Sequence, residues 1–90
     1  MAIVAALKLQ AGKTYVFDLE SKDFDPELRL EDETGQKLAE NNDIAPGVIQ
    51  NSQIIITAVK DGRYRLVATA FQGRGTGAYL LRVREFVAKR

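Results

Sequence analysis

The sequence predicts an all-β protein folded as a two-layer sandwich. Three observations carry this reading. Apolar and polar residues alternate with period two along most of the chain, and no stretch keeps the 3.6-residue period of an amphipathic helix. Turn signals recur at short, regular intervals: Ala11-Gly12, Asp25-Pro26, Thr34-Gly35, Pro46-Gly47 and Asp61-Gly62. At 90 residues with 46% apolar side chains, the chain has the length of one small domain over residues 1–90 and enough apolar surface for a single core.

The elements follow in order. Ile3, Ala5, Leu7 and Leu9 mark a first strand, and Tyr15, Phe17 and Leu19 a second, half-buried one. Asp25-Pro26 biases the preceding residue away from helix. Leu28 and Leu30 alternate with Arg29 and Glu31 in a third strand, which turns at Glu33–Gln36 and returns through Lys37–Glu40 as a hairpin. Residues 26–38 contain good helix formers, but Thr34-Gly35 interrupts them and the leucine spacing fits a strand better. A polar loop spans residues 41–51. Ile54 opens a β-branched run to Val59, Tyr64 to Ala70 alternate in a long strand, and Tyr79, Leu81 and Val83 define the last. The expected core is Tyr15, Phe17, Leu19, Leu28, Leu30, Ile54, Ile56, Tyr64, Leu66, Tyr79, Leu81 and Val83. Seven or so short strands of this kind make a sandwich.

Composition narrows function. The chain has no Cys and no His. Disulfides, thiolate nucleophiles, Cys-based zinc sites and His-dependent triads are thereby excluded, and no enzyme activity is expected. Met1–Leu7 is apolar but too short to span a bilayer, and no basic residue precedes it as in a signal peptide. The chain is therefore natively intracellular or a mature or excised piece, and its Met1-Ala2 start on a mid-domain-like strand fits excision.

The near-neutral net charge of +1 conceals a polarity: residues 1–45 carry net −5 and residues 46–90 net +6. Arg63, Arg65, Arg82 and Arg84 fall opposite the apolar positions of their strands and form a basic outer surface if those strands share a sheet. The competing reading is cross-strand pairing with outward Asp18 and Glu20. Without stacking aromatics between the arginines, a nucleic acid is not the expected partner. Glu31 with Asp32 or Glu33 could pair as acid and base, but acids clustered on turns and a small hairpin read as a solvated surface. Gly73-x-Gly75-x-Gly77 precedes a strand rather than a helix and is a loop, not a phosphate cradle.

Asp23, Asp25, Asn41, Asn42 and Asp43 offer the oxygen ligands that a calcium ion wants on loops. The same residues in Asx turns serve the backbone instead. The uncharged Met1–Leu7 strand, with Leu80, Phe86 and Val87 expected outward, is a candidate edge for self-association. Opposite charge on the two halves would then favour head-to-tail, non-closing stacking. A recurrent turn followed by a tyrosine at Gly12/Tyr15, Gly62/Tyr64 and Gly77/Tyr79 is spaced too unevenly for a repeat architecture.

Residues 11–19 (AGKTYVFDL), 25–30 (DPELRL), 38–43 (LAENND), 51–54 (NSQI), 60–65 (KDGRYR) and 77–83 (GAYLLRV) together resemble, in order, the bacterial pre-peptidase C-terminal domain family. The resemblance implies a jelly-roll-like antiparallel β-sandwich of about seven to eight strands, extracellular or at the cell surface. It implies an accessory or binding module, attached to secreted enzymes, with protein, extracellular matrix or polysaccharide as partner. It allows calcium without requiring a cofactor; Asn42 stands where the family has an acid. The expected function is a non-catalytic interaction module, with a self-assembling structural subunit as the alternative.

Overall fold

The computed structural model describes residues 2–41, 51–70 and 77–86. It is all-β: seven strands in two antiparallel sheets, with no helix among the described residues. The strands are β1 (Ala2–Leu9), β2 (Thr14–Glu20), β3 (Pro26–Asp32), β4 (Lys37–Asn41), β5 (Ser52–Thr57), β6 (Gly62–Ala70) and β7 (Leu80–Phe86). One sheet has the order β1-β6-β3-β4 and the other β5-β2-β7. Only β3 and β4 form a hairpin within a sheet; every other step along the chain passes from one sheet to the other. This winding is what makes the sandwich jelly-roll-like.

Period two does the work of placing the core. Tyr15, Phe17 and Leu19 of β2 point inward toward Leu28 and Leu30 of β3 and Tyr64, Leu66 and Ala68 of β6, and all are buried. Ile54 and Leu9 join them. Each fully buried leucine or phenylalanine is worth roughly 1.5–3 kcal/mol relative to an exposed one. The hairpin of β3 and β4 closes where Asp32 Oδ1 accepts hydrogen bonds from Thr34 N (2.9 Å), Thr34 Oγ1 (2.6 Å) and Gln36 N (3.0 Å). Gly35 sits in that turn at φ +92°, a conformation that costs glycine nothing.

The expected strands over Leu28–Leu30 and Lys37–Glu40 are present, so the helix-forming composition there yields to the strand pattern. The core differs from expectation at its edge. Tyr79 and Val83 are 40% and 47% exposed, and Leu81 is half-buried, because little of the facing sheet covers β7. Leu9, Phe24 and Ala58, none of them in the expected core, are buried instead.

Two of the three turn-tyrosine phrases have a common purpose. Tyr15 Oη accepts from Gln10 N at 2.9 Å, and Tyr64 Oη donates to the Lys60 carbonyl at 2.9 Å. Each tyrosine thus ties its strand back to the turn just upstream, as in a tyrosine corner. Tyr79 makes no such bond among the described residues and stays exposed.

Candidate functional site

The four arginines occupy two different sheets. Arg63 and Arg65 lie on β6, in the four-stranded sheet, and Arg82 and Arg84 lie on β7, in the three-stranded sheet. They therefore point away from each other on opposite outer faces, and the condition for one shared basic surface is not met. Arg84 Nη2 donates to Asp18 Oδ2 at 2.7 Å and Arg82 Nη1 to Glu20 Oε1 at 3.4 Å. Gln53 Nε2 donates to the other Asp18 oxygen at 2.6 Å, so a buried aspartate is held by β5 and β7 at once. Arg65 pairs with Glu31 at 3.3 Å, and Arg29 binds the second oxygen of Glu31 at 2.8 Å. Glu31 is thus committed to two guanidinium groups, and Asp32 to its turn. Arg63 stands directly opposite Lys8 in the ladder, with no ion pair among the described residues.

These pairs also explain the charge polarity of the sequence. Basic β6 is inserted between β1 and acidic β3, and basic β7 lies beside acidic β2. The two halves of the chain interleave, so the opposite charges meet within each sheet rather than at opposite ends of the molecule. The head-to-tail electrostatic stacking expected from the halves loses its basis.

Of the calcium candidates, Asn42 and Asp43 lie outside the described residues. Asp23 Oδ2 accepts the Ala78 N–H at 2.8 Å. Asp25 is half-buried just before β3, and Asn41 ends β4 with its side-chain oxygen buried and without a hydrogen bond. Among the described residues no three acidic side chains come together as metal ligands would. The Asp32 carboxyl is held below the ordinary carboxylate value chiefly by the Thr34 hydroxyl and also by the Gln36 and Thr34 amides.

What the loops build instead is a clamp. Ser21 Oγ donates to the Ala78 carbonyl at 2.8 Å and accepts from Asp23 N (3.0 Å) and Phe24 N (3.3 Å). With Asp23 on the Ala78 amide, two side chains satisfy both polar groups of one residue, as a neighbouring strand would. Gly77, at φ +147°, lies so close to Asp23 that a Cβ there would collide with its Cβ and carboxylate. The clamp holds the entry to β7 against the end of the three-stranded sheet. Beside it opens a groove of about 490 Å³, lined by Glu20, Ser21, Lys22, Asp23, Asn51, Ala78, Tyr79 and Leu80. An exposed phenol and an exposed leucine there adjoin carboxylates and an amide. That mixture suits a ligand with an apolar face and hydrogen-bonding edges.

The alternation pointed Tyr79 inward and so hid it as a functional candidate. Ser21 and Asn51 carried no signal beyond loop composition. The only available hint was Gly77, a glycine directly before an aromatic strand. No family model matches the chain, and no match emerges among curated proteins or solved structures.

Proposed function

We propose that this domain is a non-catalytic interaction module of a secreted or cell-surface bacterial protein, binding a protein or polysaccharide of the extracellular matrix. The observation that carries the reading is the groove at the end of the three-stranded sheet, where Tyr79 and Leu80 stand exposed beside Glu20, Asp23 and Asn51. Large apolar side chains concentrated at a polar-rimmed groove on a rigid scaffold are the usual make-up of a recognition surface. The clamp from Ser21 and Asp23 preorganises the groove, which lowers the entropy cost of binding. The resemblance to the pre-peptidase C-terminal family supports the same role and the extracellular setting. No Cys or His is present to supply a thiolate or imidazole for catalysis.

The test is co-sedimentation of the purified chain with insoluble collagen, chitin and peptidoglycan. Retention on one of them, lost at least tenfold in Tyr79→Ala while the fold is kept, is the expected result. Failure to bind any of the three, or equal binding by Tyr79→Ala, overturns the reading.

A further inference from the structure

β1 is an edge of the four-stranded sheet, paired along its whole length with β6 from Ala2↔Thr69 to Leu9↔Gly62 and with no described strand on its other side. Two of the other three edges carry several charges, and β1 carries one. β4 carries Lys37 and Glu40, and β7 carries Arg82, Arg84 and Glu85, the charges that normally deter edge pairing. β5 is uncharged, but its inner face is sealed over β3 and β4 with Ser52 and Ile54 buried. β1 has one charge, Lys8, near its end. Its inward Ile3, Ala5 and Leu7 are only partly buried, and outward Val4 is 59% exposed. The strand therefore offers unpaired backbone groups with under-covered apolar side chains on both faces.

We propose that β1 pairs antiparallel with β1 of a second copy across a two-fold axis at Ala5, forming a closed dimer with one continuous eight-stranded sheet. Pleat and symmetry fix the register. In an antiparallel ladder the numbers of opposed residues sum to a constant, and opposed residues point to the same face. Even positions of β1 face outward and odd positions inward, so the sum must be even. A sum of 10 sets Ala5 against Ala5, Ile3 against Leu7 and Val4 against Ala6, a small residue facing a larger one on the outer side. It also places Lys8 opposite position 2. The two lysines are then about 20 Å apart at ~3.4 Å per residue, well beyond the screening length of about 8 Å at physiological salt. A sum of 12 would instead oppose Lys8 to Val4 and bring the lysines closer.

The charge pattern favours β1 of the second copy over its β7. β1 is compatible with itself over its whole length, whereas a neighbour's β7 would set Arg82 and Arg84 beside Val4 and Ala6. A two-fold contact also consumes both edges and stops growth. The dimer uses a different strand from the Tyr79 groove, so it stands or falls independently of the proposed binding role.

The absence of native cysteine makes the register directly testable. In light scattering the chain is expected at dimer mass, and Val4→Lys/Ala6→Lys, which changes two exposed positions, at monomer mass with unchanged far-ultraviolet dichroism. Mixing it with Val4→Glu/Ala6→Glu should restore the dimer mass, because each lysine then faces a glutamate. Ala5→Cys should cross-link across the axis under mild oxidation at least tenfold faster than Ala6→Cys, whose counterpart lies on a diagonal too long for a disulfide. A monomer at all concentrations, fibres or larger oligomers, or equal cross-linking of the two cysteine variants would overturn the proposal.

Discussion

The sandwich is closed along one side and open along the other. Where β5 lies over β3 and β4, Ser52 is fully buried, its hydroxyl accepting from Leu28 N at 3.2 Å and donating to the Asn41 carbonyl. Leu28 and Asn41 are a register pair of the β3–β4 ladder, so a side chain of one sheet is stitched into the backbone of the other. On the opposite side, β1 and β7 make no comparable contact. One row of the three-stranded sheet records the contrast. Ile54, Phe17 and Val83 are aligned on the same inner face, at 4%, 0% and 47% exposure. The same alternation that seals a residue on β5 leaves its counterpart on β7 half in water. Direction toward the interior and coverage by the interior are separate properties, and only the first follows from period two.

Substitutions on the closed and open sides should break the contrast in proportion to coverage. Phe17→Ala is expected to cost about 3–5 kcal/mol in denaturant unfolding, the usual result for a fully enclosed aromatic. Ser52→Ala should cost about 2 kcal/mol, since it strands a buried amide and a part-buried carbonyl rather than emptying space. Val83→Ala should cost less than about 1 kcal/mol, because its methyl groups are already largely solvated. A loss at Val83 as large as that at Phe17 would mean the open side is covered in solution.

The smallest effect lies at the β3–β4 turn. Asp32 has a depressed pKa in the folded state and an ordinary one when unfolded, so the folded form binds fewer protons. Its contribution is present above the ordinary aspartate range and is lost as pH falls through the lower folded value. Asp32→Asn should therefore flatten the acid limb of the stability profile below about pH 4, leaving its neutral limb unchanged in slope. An acid limb as steep as the parent's would remove Asp32 from that role.

The sheet architecture was legible because β-branched and aromatic residues alternate between well-marked turns, and Leu28–Leu30 resolved the hairpin against a helical composition. The inner face of β2 could be read for the same reason. The candidate site was less legible. Which sheet a strand joins depends on pairings between distant segments, so Arg65 and Arg84 looked equivalent in sequence and ended on opposite faces. Tyr79 looked like Tyr15 and Tyr64, and only the position of β7 at an uncovered edge distinguishes it. Ser52, polar and in a loop-like context, gave no sign that two sheets would meet at its hydroxyl.

The winding of the chain also sets an order in time. Ala5 finds its ladder partner in Leu66, about sixty positions later, and β2 finds β7 at a similar remove. Sheets assembled from such distant pairs fold slowly, in milliseconds to seconds. During synthesis at about 5–20 residues per second, β1 would emerge several seconds before β6 exists to receive it. A strand with a single charge, Lys8, is thus the one that waits longest for its partner, and nascent chains on neighbouring ribosomes are its nearest alternative.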